Sequence, residues 1–143
     1  MNKDVLFSRK SDEWGTPKNL FEELNKIYHF TLDPCATIEN HKCDKYFTKE
    51  QDGLKQNWGG QIVFCNPPYS NIKEWAKKCV DECLCNNVEI VLLVPARTDT
   101  KWFHEYIYKK NYTQIEFIKG RLKFNDGENG APFPSMLVYF KKN

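Results

Sequence analysis

Asn66-Pro67-Pro68-Tyr69 is the stretch whose residue types and spacing point most directly to chemistry. An amino group conjugated to an aromatic ring, such as the N6 amine of adenine, is a poor nucleophile because the ring shares its lone pair. Two acceptors that take its two hydrogens pull it toward tetrahedral geometry and aim the lone pair at an incoming methyl group. The side-chain oxygen of Asn66 and the carbonyl of Pro67 form such a pair. Pro68 after Pro67 leaves the backbone few conformations, so the loop is set before a substrate arrives. Tyr69 offers a flat face on which a base turned out of a duplex can stack. The rest of the catalysis is positioning. The plain alternative is a rigid turn after a strand; the location of the motif, between an apolar strand and a helix start, favours the chemical reading.

The elements around the loop must hold it in place. Residues 61–65 form a short, mostly apolar run that has to stop pairing at the two prolines. Beyond them, Asn71 and Glu74 have the spacing of a capping box. Ile72, Trp75, Ala76, Cys79, Val80, Cys83 and Leu84 then recur on one helical face. Residues 88–94 are almost wholly apolar, as in a central strand covered on both faces, and Pro95 ends the run. Upstream, Leu20, Phe21, Leu24, Ile27 and Tyr28 have helical spacing, with Thr16 as N-cap and Pro17 at the first helical position. Residues 30–33 predict a strand ending at Pro34, residues 46–48 a minor strand, and Asp52-Gly53 a turn. Trp102, Phe103, Tyr106 and Ile107 predict a third helix. Residues 114–118 and 136–140 predict two more strands, with residues 121–124 as an optional extra.

Strands alternating with helices predict an α/β domain with a mostly parallel sheet. The last strand follows its neighbour without a helix, which implies an antiparallel pair at one edge. Ligands of open α/β sheets bind beyond the carboxyl ends of the strands. The stretches from Asp33, Asn66 and Pro95 onward therefore form the functional edge.

Composition narrows the partners. The 143 residues suit one domain spanning the chain, with residues 1–12 as a loose arm. A net charge of +2 argues against non-specific coating of nucleic acid but allows a local basic face. Arg97, Lys101 and Arg121 near the functional edge are candidates for phosphate contacts, with solvated surface charge an equal alternative. No apolar run is long enough for a membrane span, and the start is too short and polar for a signal peptide. The six cysteines are therefore read as thiols in a reducing compartment. Cys35, His41 and Cys43 lack the paired spacing of a metal site, and Cys79 and Cys83 fall on an apolar helical stripe; no metal is expected.

Several motifs, in order and spacing, resemble the small phage and prophage DNA N6-adenine methyltransferases of the Dam-like type. They are Trp14-Gly15-Thr16-Pro17, Leu32-Asp33-Pro34-Cys35-Ala36, Asp52-Gly53-Leu54, Trp58, Asn66-Pro67-Pro68-Tyr69-Ser70, the run 95–103, and Gly120-Arg121-Leu122-Lys123-Phe124. The resemblance implies a minimal Rossmann-like class I methyltransferase fold, S-adenosylmethionine as methyl donor, and adenine in double-stranded DNA as acceptor. It implies a cytoplasmic enzyme of the host cell, acting alone or as a homo-oligomer. Trp14, Thr16 and Pro17 then border the methionine end of the cofactor. Asp33 and Pro34 open the cofactor loop, continued by Cys35 and Ala36, with Asp33 placed to meet the methionine ammonium. Asp52 would accept from the cofactor's adenine amine, and Asn66 would sit between cofactor and target. Asp44 and Glu50 are candidates for the ribose hydroxyls, and Pro132-Phe133-Pro134-Ser135 is either a cover for the target base or a plain loop.

The chain departs from the pattern in one place: Cys35-Ala36-Thr37-Ile38 contains no glycine, so close backbone approach must rely on small side chains. Two alternatives stay open at this level. One is a methyltransferase with the same loop acting on another planar nitrogen, such as a protein glutamine or an RNA base. The other is a non-catalytic DNA-binding module that has kept the fold.

Overall fold

The structure, a computed structural model, describes residues 14–143; the expected arm over residues 1–12 lies outside the described residues. In chain order the elements are α1 (Lys18–Tyr28), β1 (Leu32–Asp33), β2 (Lys45–Tyr46), β3 (Ile62–Cys65), α2 (Ile72–Asn86), β4 (Glu89–Pro95), β5 (Thr113–Phe117) and β6 (Ser135–Phe140). Short 3-10 turns occupy Gly53–Lys55, Tyr69–Asn71 and Phe124–Asp126, and a π-type turn occupies Phe103–Ile107.

The strands form one sheet in the order β2-β1-β3-β4-β6-β5. Pairing is parallel from β2 to β4, while β6 lies antiparallel between β4 and β5. The expected Rossmann-like α/β architecture, with a mostly parallel sheet and an antiparallel final strand, is what the chain adopts. Because β6 opposes both neighbours, β5 runs in the same sense as β4. The carboxyl ends of β1, β3, β4 and β5 therefore share one edge.

Side-chain alternation divides the core into two layers, as the two-residue period of a strand requires. Val63, Cys65, Ile90, Leu92, Val94, Met136 and Val138 pack with Trp75, Cys79 and Cys83 of α2. Phe64, Val91, Leu93 and Leu137 point the other way, against Phe21 and Leu24 of α1. β4 is buried on both faces, as its unbroken apolar run predicts. Cys79 and Cys83 are fully buried, in keeping with their place on the apolar stripe. Phe103 is also core, on the same layer as α2. Among the described residues no helix is long and apolar enough to cross a membrane.

Several local expectations need correction. Thr16 does not cap α1: the helix begins at Lys18 with Pro17 at the N-cap position and no side-chain cap from its own segment. The acceptor comes instead from Asp126, whose Oδ1 takes the Lys18 amide hydrogen at 3.0 Å. Asn71 makes no side-chain cap either, because a 3-10 turn over Tyr69–Asn71 feeds directly into α2. Residues 121–124 form no strand; this stretch is a loop, tied by the Ala131 amide donating to the Leu122 carbonyl at 2.8 Å. The expected third helix is present but short: residues 101–107 are helical, Phe103–Ile107 in π-helical form, and Tyr108 is already extended.

Trp58, whose role the sequence leaves open, is a core residue beneath β1 and α2. It is fully buried, and its indole Nε1 donates to the Gly53 carbonyl at 3.0 Å. Glu82 of α2, itself buried, accepts the Trp58 amide hydrogen at 3.1 Å and pairs with Lys78 at 3.0 Å. This network pins the 52–58 segment against α2 and brings Gly53 up to the loop after β1. A Cβ at Gly53 would lie 2.2 Å from the Pro34 carbonyl oxygen, so glycine alone permits the approach. This packing of Gly53 on Pro34 buttresses the start of the 33–38 loop from behind, while Cys35, Ala36 and Thr37 themselves line the cleft.

Candidate active site

A cleft of about 390 Å³ opens at the carboxyl ends of β1 and β3. This is where the chain leaves β1 toward one side of the sheet and β3 toward the other, the switch point at which α/β sheets bind ligands. Its volume falls within the roughly 300–1,000 Å³ of small-molecule sites. Asp33 and Cys35 line it from β1, Phe64 and Asn66 from β3, Trp14 and Thr16 from the N-terminal segment.

Asp33 organises the first wall. It is buried, and its two oxygens accept the backbone hydrogens of Cys35 at 3.3 Å and Lys42 at 3.0 Å, closing the loop back on the strand. Burial pushes its carboxyl above the ordinary aspartate range, and the two amide bonds oppose that rise without cancelling it. Cys35 and Ala36 line the cleft, and the Ala36 amide donates to the Phe47 carbonyl at 2.9 Å. The Cys35 sulfur lies 4.0 Å from that of Cys65, and burial holds its thiol up at about 11. Both thiols are therefore neutral near pH 7, as structural cysteines are.

Asn66 forms the second wall. Its Nδ2 donates to the Trp14 carbonyl at 2.5 Å and to the Thr16 hydroxyl oxygen at 3.0 Å. Its Oδ1 is buried and has no hydrogen-bond partner. Buried acceptors without partners are uncommon and call for an explanation. Pro67 and Pro68 lead on to the Tyr69 turn. The Tyr69 ring stands edge-on to Phe124 and Phe133, with centroids 6.3 and 5.5 Å away, and burial pushes its hydroxyl far above the ordinary range. Phe133 also meets Trp14, at 5.2 Å, which links the late loop beside the tyrosine to the N-terminal segment.

Not every predicted residue reaches this cleft. Pro17 and Pro34 shape it from behind, as the first acceptor of α1 and as the neighbour of Gly53. Asp52 lies outside the lining, in left-handed backbone at φ 55°, where its side chain accepts from Leu54 at 3.2 Å. A second hollow, of about 550 Å³, is lined by Asp44, Tyr46 and Thr48, but not by Glu50. Arg97, Lys101 and Arg121 are exposed, Arg97 just past β4 and Arg121 in the loop past β5, which puts both on the cleft's edge of the sheet.

Sequence reasoning missed Asn40, Lys42, Asn125 and Asp126. The first three line the cleft. Asn125 exchanges two hydrogen bonds with Gly15, donating its amide to the Gly15 carbonyl at 2.8 Å and accepting at Oδ1 from the Gly15 amide at 2.9 Å. Asn125 and Asp126 both have positive φ, near 58° and 53°. The run Asn125-Asp126-Gly127 does signal a turn, since Asn and Asp tolerate left-handed backbone. Nothing in it signals a partner 110 residues away.

Comparison with known proteins accords with the geometry. The family model described as DNA N-6-adenine-methyltransferase (Dam) matches residues 4–142. A DNA N-6-adenine-methyltransferase of Haemophilus phage HP1 (strain HP1c1) is 31% identical over 144 residues, covering 94% of this chain and 82% of that protein. Another DNA N-6-adenine-methyltransferase, from Escherichia phage T1, is 34% identical over 136 residues, covering 83% of this chain and 56% of the phage protein.

Proposed function

The chain belongs to the DNA N-6-adenine-methyltransferase (Dam) family and methylates adenine in DNA, and from that premise we propose how it does so. The methyl group comes from S-adenosylmethionine bound in the cleft between β1 and β3, and it goes to the N6 amine of an adenine turned out of double-stranded DNA. The observation that carries this reading is the Asn66 carboxamide, whose nitrogen is fully engaged and whose buried oxygen has no partner. An acceptor held in this way is set for a donor that the resting protein does not contain.

The cleft suits a zwitterionic amino-acid group. The buried Asp33 carboxylate can meet an ammonium, and Lys42 at the rim can meet a carboxylate. Burial makes ionised Asp33 costly even with Lys42 at the rim, and an ammonium beside it would offset that cost. Trp14 and Phe64 supply apolar wall. When bound, S-adenosylmethionine supplies a methyl group on a positively charged sulfur, activated for transfer to a nucleophile. We assign Asp52, beside the Gly53 that packs on Pro34, to the cofactor's adenine amine; Asp44 lines a separate hollow.

The protein's part in the reaction is placement. Asn66 Oδ1 and the Pro67 carbonyl accept the two N6 hydrogens of adenine, which localises the nitrogen lone pair. Tyr69 provides the stacking face, held by Phe124 and Phe133. No general base is needed before the methyl group moves, because the amine becomes acidic only once it carries the extra carbon. Arg97, Lys101 and Arg121 contact the phosphates of the duplex, and the work is done where host DNA lies, in the cytoplasm.

The test offers the full chain labelled S-adenosylmethionine with duplex DNA, RNA and protein in separate reactions. Label confined to DNA is expected; label in RNA or protein would redirect the reading to another planar nitrogen. Cofactor binding followed by calorimetry, and lost in Asp33→Ala, separates an enzyme from a module that has merely kept the fold.

A further inference from the structure

An asparagine side chain can present either its oxygen or its amino group to a ligand, and an amide turned the wrong way would offer a donor to an amine that needs an acceptor. We propose that the Trp14 carbonyl and the Thr16 hydroxyl are positioning groups that decide this orientation, and that the Asn125-Asp126 turn holds them in place. The inference rests on the assignment of Asn66 as the acceptor for the target amine.

The chemistry of the two contacts differs, and the difference is informative. A backbone carbonyl has no hydrogen to give. The atom of residue 66 that faces the Trp14 oxygen must therefore be a donor, and only the amide nitrogen qualifies. The Thr16 oxygen takes the second hydrogen of the same nitrogen. With both hydrogens committed, the carboxamide has one free function, the buried acceptor Oδ1.

Thr16 is available because it is not the helix cap. Asp126 takes the Lys18 amide hydrogen in its place. Asn125 clamps Gly15 through a reciprocal pair of bonds on the residue between Trp14 and Thr16. A Cβ on Gly15 would lie 2.3 Å from the Asn125 side-chain oxygen, so the clamp closes only on glycine. A turn that follows β5 thus fixes a segment that precedes α1, and that segment fixes a side chain at the end of β3.

The consequence is a preference for amide over acid at position 66. An aspartate is the stronger acceptor for an amine, yet here one carboxylate oxygen would face the Trp14 carbonyl, acceptor against acceptor. Protonation removes the conflict: the acid hydroxyl then donates to Trp14, and the acid carbonyl faces the target as the amide oxygen did. Asp33 and Lys42 are the charged groups lining the same cleft, with Cys35 beside them and Cys65 and Tyr69 flanking in the chain. All of these are present in parent and variant alike, so a difference in pH dependence between the two reports on residue 66.

The experiment is single-turnover methyl transfer to duplex DNA at saturating cofactor, comparing the parent with Asn66→Asp, Thr16→Val, Thr16→Ser and Asn66→Ala. Asn66→Asp is expected to be nearly inactive at about pH 8 and to gain activity as the pH falls toward about 6, where a shielded carboxyl takes up its proton; the parent shows no such gain. Thr16→Val is expected to lose about tenfold to a hundredfold in rate with little change in cofactor affinity, and Thr16→Ser to keep most of the rate. Full activity of Asn66→Asp at about pH 8 would overturn the proposal, and Thr16→Val at the parental rate would remove Thr16 from it. If Thr16→Val does not fold, the pH profile of Asn66→Asp still decides. Asn66→Ala distinguishes the two levels: activity retained there would remove the acceptor assignment itself, whereas activity lost there with Asn66→Asp unaffected would remove only the positioning role.

Discussion

Two loops leave the same edge of the sheet side by side, one after β1 and one after β3, and they are held by opposite means. The first is gathered by a charged group: the buried Asp33 carboxylate binds the amides of Cys35 and Lys42. The second is held by neutral groups: two prolines restrict its backbone, and the Asn66 amide ties it to Trp14 and Thr16. A carboxylate in that position responds to pH and to a nearby cation, whereas prolines and an amide respond to neither. The loop we propose for the charged cofactor is therefore tunable by pH, and the loop we propose for the target amine is held by groups that do not titrate. Binding and transfer should come apart in variants accordingly.

The largest effect is expected at the neutral loop. Asn66→Ala should lower methyl transfer by about a hundredfold to a thousandfold, the size of losing one preorganised hydrogen-bonding group. Cofactor affinity should stay close to the parental value in calorimetry. A matching loss in affinity would blur the division between the loops.

At the charged loop the pattern reverses. Asp33→Asn should weaken S-adenosylmethionine by about tenfold to a hundredfold, from loss of a charged hydrogen bond worth about 1.5–3 kcal/mol, with transfer at saturation much less affected. In the parent, pH should act on the same group with two signs. The folded-state carboxyl ionises at higher pH than usual because it is buried. Affinity for a cationic ligand is therefore complete above that raised range and is lost as the pH falls through it. In the ligand-free protein Asp33 contributes stability in the opposite sense: its contribution is intact below the unfolded aspartate range and is lost as the pH rises through the folded one. Calorimetric titrations and thermal melts across pH should show the two opposed slopes, and Asp33→Asn should flatten both.

Gly53→Ala should perturb the charged loop from outside. The new Cβ would collide with the Pro34 carbonyl at 2.2 Å and crowd Trp75 at 3.0 Å. An overpacking cost of about 1–3 kcal/mol is expected in urea unfolding, with cofactor affinity falling too because Pro34 adjoins Asp33. The smallest effect should come from Pro68→Ala, which frees the neutral loop only slightly; a stability change of about 1 kcal/mol or less is expected, with a transfer rate within a few fold of the parent. A large loss there would show that proline rigidity matters more than the Asn66 anchor.

How much of this was legible beforehand depended on whether the signal was local. The β4 run, the α2 stripe and the stop at Pro67 and Pro68 each depend on short-range periodicity or backbone chemistry, and each appears as expected. The neighbouring placement of Asp33 and Asn66 followed from the α/β pattern and its carboxyl edge. Thr16 and Asn71 carry local capping signals that the folded chain does not use. The true cap of α1 arrives from Asp126, across 108 residues, and Thr16 is drawn away to Asn66. Asn40 and Lys42 escaped notice because polar residues in a loop look alike until the loop closes. The packing of Gly53 on Pro34 was equally hidden, since it joins two loops that are separate in sequence.

The most direct test of the central claim is nucleoside analysis of unmethylated duplex DNA incubated with the full chain and labelled S-adenosylmethionine, run in parallel with Asn66→Ala. Label in N6-methyladenine with the parent, and its near absence with a variant that still binds cofactor, is the predicted result. Label in any other product, or equal N6-methyladenine from the variant, would contradict the assignment of Asn66 and the cleft it faces.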